Sequence, residues 1–177
     1  MVAVTSIEPM ELEYWHQPSP LGSLLCVASP AGLAAVLFGG DDQALARVAR
    51  AFGPVAVTVE RARPDLEKAV AAYFDGDLAA LEGLPVDLTA VTGWRRQVLE
   101  VLRAVGPGQL VTYGELAARS GRPGAARATG QAVGANPIAV VVPCHRVVAS
   151  DGTLGGYAGG LARKQWLLAH EGVAARP

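Results

Sequence analysis

Short, mostly apolar runs of strand length mark the first half of the chain. LLCVAS and LAAVLF are separated by PAG, and two such runs around a Pro-Gly turn predict a hairpin of mostly buried strands. VAVTVE, which begins at Val55, predicts another strand. The pattern therefore indicates a small sheet in this half.

Two helices accompany these strands. Asp41 or Asp42 can cap a helix that runs through Ala51, because a carboxylate at the N-cap accepts hydrogen bonds from free backbone N–H groups. Pro64 opens the next helix, which stops near Asp75. The first half is thus predicted to be a small α/β unit.

LPVDLTAVTG is interpreted as the linker between the two halves of the chain, and after it the apolar positions recur with helical spacing. They fit one face of a helix from about Trp94 to Ala104, which Gly106-Pro107-Gly108 ends. A different signal begins the next helix: Thr112 and Glu115 form a capping-box pattern.

Two more helices complete the prediction. The Ala-rich stretch from about Gly124 to Ala135 follows the capped helix after a Gly/Pro turn, which suggests a helix–turn–helix. LARKQWLLAHEG predicts a last amphipathic helix. The expected fold class is α+β, with residues 1–88 as a supporting α/β domain and 89–177 as a helical domain.

Charge divides the chain in the same place. Residues 1–89 hold five Lys/Arg and twelve Asp/Glu, a balance of −7, and residues 90–177 hold ten and four, a balance of +6. Such asymmetry indicates a basic part that can meet a polyanion. Scattered surface charge is the alternative.

Other compositional features exclude several protein classes. Two cysteines are too few for a disulfide framework or a Cys-rich zinc site. The start of the chain lacks a basic segment followed by an apolar core, and the uncharged stretch from Tyr14 to Gly40 is cut by prolines and glycines. We therefore expect a cytoplasmic protein that binds no membrane.

VVVPCHRVVASDG places one of the two cysteines beside a histidine. A thiol attacks carbon as the thiolate, so its pKa must be lowered by a base, a cation or a helix N-terminus. His145 adjoins Cys144, but adjacent side chains often diverge. The residues alone therefore leave open a reactive thiol, an inert core thiol and a partial metal site, and the last lacks further ligands at a useful spacing.

Four segments in fixed order carry a family resemblance: TYGELA, AARATGQAVGANP, PCHRVV and GGYAGGLARKQWLLAHEG. Together they resemble the O6-alkylguanine-DNA alkyltransferases, also called methylated-DNA–protein-cysteine methyltransferases. The resemblance runs from about Trp94 to Gly172. In the first half, it is limited to SPLG and the general strand–helix pattern.

The resemblance implies direct-reversal DNA repair. An alkylated guanine in double-stranded DNA would be rotated out of the duplex, and its O6-alkyl group, a methyl for example, would pass irreversibly to Cys144. O4-alkylthymine is a second candidate substrate. Each molecule would act once as a methyltransferase, without metal, organic cofactor or obligate protein partner.

The same resemblance implies roles for individual residues. Cys144 would be the nucleophile, His145 the base that takes its proton by way of a water, and Glu171 the carboxylate that orients the imidazole. Asn136 would bridge the two parts of the site, and Tyr113 would help to protonate the departing guanine. The predicted walls of the substrate pocket are Val147, Tyr157 and Ala158.

DNA contact is expected through the Ala-rich helix. Arg127 would enter the stack in place of the flipped base, and Ala126, Gly130 and Thr112 would lie against the DNA. Small side chains suit the minor groove, which is only about 6 Å wide. Further arginines can meet phosphates and would make binding salt-dependent: Arg95, Arg96, Arg119 and Arg122.

Three alternatives belong to other functional classes. Alkyltransferase-like proteins bind alkylguanine without repairing it, but they lack the acceptor cysteine. A cysteine hydrolase or thiol redox enzyme would need multiple turnover or a resolving cysteine, for which Cys26 is the only candidate. A transcription factor would bind a specific sequence and would not need the thiol.

Overall fold

The computed structural model describes residues 9–54 and 56–174. The start of the chain, which bears on a signal sequence, and Val55, where a strand was predicted to begin, lie outside the described residues. Helices and a small mixed sheet together give an α+β fold, which confirms the predicted class.

The four-stranded sheet has the order β3-β2-β1-β4. β2 pairs antiparallel with β1 and β3, whereas β4 runs parallel to β1. The predicted hairpin is therefore present as β2 and β3. The strands comprise β1 Glu11–Gln17, β2 Leu24–Ser29, β3 Gly32–Phe38 and β4 Val57–Glu60.

Strand β1 is absent from the sequence prediction. Within ELEYWHQ the buried positions are Leu12, Trp15 and Gln17, which do not alternate strictly. Strand structure here depends on backbone pairing with both β2 and β4 rather than on a period-two pattern. A prediction from periodicity alone therefore misses this strand.

Two helices lie in the first half, close to their predicted bounds. α1 spans Asp42–Phe52 and is capped by Asp41, whose carboxylate accepts a hydrogen bond from Ala44 N at 2.8 Å. α2 spans Pro64–Phe74 and begins at the proline, as predicted. Leu66, Val70 and Tyr73 are the buried residues of α2.

The second half is mainly helical, with α3 Gly93–Leu102, α4 Tyr113–Arg119, α5 Ala126–Gly134 and α6 Leu161–His170. Thr112 caps α4, and both hydrogen bonds of the predicted capping box with Glu115 are present. α4 and α5 follow each other across a short turn, as the helix–turn–helix prediction requires. α5 begins at Ala126, two residues later than predicted.

A short parallel pair of strands joins distant parts of the second half. β5, Val111–Thr112, precedes α4, and β6, Val147–Val148, follows the cysteine. The main hydrophobic core contains residues from the sheet, from α2 and α3, and from the segment around Cys144. One continuous core therefore joins the two halves, while their boundary at residue 88 stays a prediction.

Candidate active site

An open cavity of about 580 Å³ lies where residues of both halves meet, within the range of about 300–1,000 Å³ usual for small-molecule sites. Part of its wall comes from the first half, from residues 36–41 with Ala44 and Arg47. The wall also includes six of the predicted site residues: Tyr113, Gly130, Asn136, Cys144, Tyr157 and Ala158.

Cys144 reaches this cavity from a 3₁₀ turn and is 7% exposed. Asn136 holds the turn in place. Its Nδ2 donates to the Val142 carbonyl at 2.8 Å and lies 3.2 Å from the sulfur, and its Oδ1 accepts a hydrogen bond from the Ile138 N–H at 3.0 Å. The position of the sulfur is thereby fixed against the backbone.

The surroundings favour the protonated form of this thiol. Burial raises the pKa of Cys144, and the Asn136 amide, the Tyr157 hydroxyl and the Lys164 ammonium oppose that rise only in part. The Tyr157 hydroxyl lies beside the sulfur and lowers the pKa of Cys144, although its geometry completes no full hydrogen bond with any described residue. The thiol therefore needs a base to become a nucleophile.

His145 has a free nitrogen that can act as that base. Its Nε2 lies 2.8 Å from Oε1 of Glu171, and both side chains are fully buried. Because an ionised carboxylate only accepts, Nε2 carries the proton. Nδ1 is then a bare acceptor, and it has no hydrogen-bond partner among the described residues. Burial lowers the pKa of His145, so the ring is neutral at neutral pH.

Several donors converge on the carboxylate of Glu171. Arg146 binds both oxygens, at 2.9 and 2.7 Å, and Tyr73 and His145 each contact Oε1 at 2.8 Å. The Gly108 N–H approaches Oε2 at 3.4 Å. Burial alone would raise the pKa of Glu171, but the hydrogen bonds from His145 and Arg146 outweigh it and hold the pKa well below its ordinary value.

Two tyrosines stand beside the thiol. Tyr113 donates from its hydroxyl to the Gly156 carbonyl at 3.3 Å, which links α4 to the glycine-rich loop GTLGGYAGG at residues 152–160. Tyr157 packs edge-on against Phe38, with ring centroids 6.5 Å apart. A Cβ at Gly159 would lie 2.7 Å from the Tyr157 ring, so this contact requires glycine at that position.

The residues predicted to contact DNA lie on or beside α5. Ala126 begins the helix, Gly130 lines the cavity, and Arg127 is exposed without an ion-pair partner in the described parts of the chain. Thr112 lies at the start of α4, where its hydroxyl accepts from Glu115 N at 3.1 Å. That hydroxyl is therefore occupied by helix capping.

Val147, which was predicted to wall the pocket, is not among the residues that line this cavity. Its side chain is fully buried in the main core, and its strand β6 pairs with β5. The carbonyl of Val147 instead accepts a hydrogen bond from Lys164 Nζ at 2.6 Å. Lys164 also donates to the Leu154 carbonyl, and burial lowers the pKa of this lysine to about 8.

Three buried residues of the site were missed by sequence reasoning. Arg146 adjoins His145, but adjacent side chains often diverge, so adjacency alone does not predict its contact with Glu171. Lys164 lies within an amphipathic pattern that predicts an exposed lysine. Tyr73 is 98 residues from Glu171 in the chain, and no local signal connects the two.

Other possible sites receive little support. Cys26 is fully buried in the sheet, and burial raises the pKa of its thiol to about 12. Over residues 9–54 and 56–174, no three His, Cys, Asp or Glu side chains are grouped so as to hold a metal ion. None of the helices in that same part of the chain has the length and apolarity to cross a membrane.

Comparison with known sequences gives consistent matches. Residues 93–173 match the family described as "6-O-methylguanine DNA methyltransferase, DNA binding domain". The methylated-DNA–protein-cysteine methyltransferase of Salmonella typhimurium is 56% identical over 107 residues, which are 60% of this chain and 62% of that protein. The chain thus spans about three-fifths of that relative. The Haemophilus influenzae protein of the same name is 34% identical over 92% of this chain and 87% of its own length.

Solved structures show the same likeness over the whole fold. The O6-methylguanine methyltransferase of Mycobacterium tuberculosis has a TM-score of 0.76 at 32% identity, covering 94% of this chain and 96% of that one. The M. tuberculosis protein solved in complex with DNA has a TM-score of 0.75 at 33% identity, covering 91% and 92%.

Proposed function

Since this chain belongs to the methylated-DNA–protein-cysteine methyltransferase family, we propose that it repairs DNA by direct reversal, moving a methyl group from O6-methylguanine to Cys144. The observation that carries the proposal is the thiol at the wall of an open cavity, followed in the chain by an imidazole whose Nδ1 has no hydrogen-bond partner within residues 9–54 and 56–174. O4-methylthymine is a second candidate substrate.

The proposed reaction is an in-line displacement at an sp³ carbon. His145 takes the proton of the Cys144 thiol at Nδ1, relayed by a water molecule, and Glu171 stabilises the resulting imidazolium. The sulfur forms a bond to the methyl carbon while the bond from that carbon to O6 breaks. The bonding electrons remain on the guanine, which is protonated with the help of Tyr113. The net change is one thiol proton exchanged for one methyl group.

We further propose that α5 enters the minor groove of the duplex. The helix carries mostly small side chains, including Ala126 and Gly130, and a helix with ordinary side chains is about 10–12 Å across. Arg127 would fill the gap left by the flipped base, whose extrusion costs a few kcal/mol. Within this scheme, residues 89–177 form the DNA-binding and acceptor domain.

Intact-mass analysis tests the central proposal. After incubation with duplex DNA that contains one O6-methylguanine, the protein should gain the mass of a single methyl group, at most once per molecule. Peptide mapping should place that group on Cys144. A protein that binds the DNA tightly while neither partner changes mass would instead be an alkyltransferase-like recognition protein, and the proposal would fail.

Arg127→Ala should slow repair of duplex DNA by about tenfold or more, because part of the few kcal/mol needed for base extrusion is no longer supplied. Reaction with free O6-methylguanine base should change little. Single-turnover rates on both substrates measure the difference. Arg50→Ala, which removes an exposed arginine from α1, should leave both rates unchanged. Equal losses on duplex and free base would count against a flipping role.

A further inference from the structure

Tyr73 connects the first half of the chain to the carboxylate behind the thiol. It lies on α2, is fully buried, and donates its hydroxyl hydrogen to Oε1 of Glu171 at 2.8 Å. Its backbone carbonyl accepts a hydrogen bond from Nε2 of His170 at 2.7 Å. Both contacts join α2 to the end of α6, so this tyrosine has a fixed place beside the site.

Tyr73 and His145 share one carboxylate oxygen. Each contacts Oε1 of Glu171 at 2.8 Å. A hydroxyl that donates to this oxygen withdraws negative charge from it, so the oxygen attracts the Nε2 proton of His145 less strongly. The imidazole is then a weaker base at Nδ1 than it would be if Tyr73 did not donate a hydrogen bond to Glu171.

The orientation of the carboxylate does not depend on Tyr73. Arg146 binds both oxygens of Glu171 in a fork, and the Gly108 N–H supports Oε2. Loss of the hydroxyl alone should therefore change how the charge is shared and leave the carboxylate in place. This separation makes the role of the tyrosine testable.

We infer that Tyr73, acting through Glu171, is the residue by which the first half of the chain lowers the basicity of His145 and, with it, the share of Cys144 present as thiolate in the absence of DNA. The inference rests on the proposed function. An acceptor that can be used only once is lost if it reacts with any small electrophile, so restraint of the free protein preserves it for alkylated DNA.

Other charged groups around His145 shift its pKa in defined directions. Arg146, on the same turn, and Lys164, on α6, both disfavour the imidazolium, and Glu171 favours it. Cys144 is the group with which His145 would exchange a proton. The Tyr73→Phe change removes none of these groups and acts only through the charge that the hydroxyl withdraws from Glu171, so the variant isolates that effect.

Alkylation of Cys144 by iodoacetamide, without DNA, gives the first readout. The sulfur displaces iodide and its proton leaves through His145. In Tyr73→Phe a more basic imidazole should hold more of the thiol as thiolate, and the rate at pH 7 should rise about threefold, which corresponds to about half a pKa unit. The acid limb of the pH–rate profile should move to higher pH. Peptide mapping separates Cys144 from the buried Cys26.

NMR of the histidine side chain gives the second readout. The Nε2 proton of His145 should resonate further downfield in Tyr73→Phe, because its hydrogen bond to Glu171 is no longer shared. Tyr14→Phe makes the same chemical change elsewhere in the first half and should alter neither readout. Phe74→Ala weakens packing between α2 and Trp166. It should lower the melting temperature without moving the Nε2 resonance or the acid limb.

An unchanged alkylation rate and an unmoved Nε2 resonance in Tyr73→Phe would overturn the inference. An equal rise of the alkylation rate in Phe74→Ala would also overturn it, because that result would indicate simple opening of the site. Both readouts are independent of DNA. If they shift as expected while the wild-type protein takes no methyl group from DNA, the proposed function fails, and only the effect of Tyr73 on the basicity of His145 stands.

Discussion

Cys144→Ala should bind methylated duplex DNA with nearly unchanged affinity and transfer no methyl group at all. The variant loses one sulfur atom on a residue that is 7% exposed, so few contacts with DNA are removed. The chemistry needs a polarisable nucleophile, and alanine has none. Methyl content of the DNA after single-turnover incubation measures repair, and fluorescence anisotropy measures binding.

Cys26→Ala is the matched control for this variant. Cys26 is the other cysteine of the chain, it is fully buried in the sheet, and burial raises the pKa of its thiol to about 12. Its loss should leave the single methyl gain intact. Normal transfer by Cys144→Ala would mean that another group accepts the methyl, and the proposed mechanism would have to be abandoned.

Glu171→Gln should lower the rate of methyl transfer by about 10²- to 10⁴-fold, since replacing the carboxylate by an amide in hydrolase triads costs up to about 10⁴-fold through loss of the correct imidazole tautomer. The amide nitrogen cannot accept a hydrogen bond from His145, and a neutral side chain no longer stabilises the imidazolium.

The same change leaves Arg146 as a buried cation without its partner, which costs about 3–5 kcal/mol of stability.

The stability loss should depend on pH in a defined direction. The folded state holds the pKa of Glu171 well below its ordinary value. The contribution of ionised Glu171 to the stability of the folded state is therefore complete above its pKa in the unfolded chain, about 4.3. That contribution is lost as the pH falls through the pKa in the folded state. The difference in melting temperature between wild type and Glu171→Gln should be constant near neutral pH and should shrink below about pH 4.

Glu100→Gln provides the control for charge removal. Glu100 is exposed and pairs with Arg96 on the surface of α3, where such pairs contribute little to stability. This variant should keep its transfer rate and its melting temperature at every pH. A Glu171→Gln protein that matched it in both measurements would exclude the carboxylate from the mechanism.

Local rules explain how much of the fold could be predicted. The cap of α1 by Asp41, the proline start of α2 and the capping box of α4 each depend on a few neighbouring residues, and all three are present. β1 was missed because its buried positions do not alternate, and its pairing partners lie elsewhere in the chain. Val147 was expected at the pocket because it lies near the cysteine, but its side chain is buried in the main core, most of whose other members come from distant parts of the chain.

The sequence by itself determined the chemistry available to this protein. It contains one cysteine followed by a histidine, a slim basic helix, and a carboxylate after the last helix, in segments whose order resembles that of the alkyltransferase family. Only the tertiary structure decided how that chemistry is controlled. It brought Tyr73 and Arg146 onto Glu171 and buried Lys164 against two carbonyls. Such contacts join residues far apart in the chain, and their effect on a pKa depends on burial and on distances of a few ångströms, which no local pattern encodes.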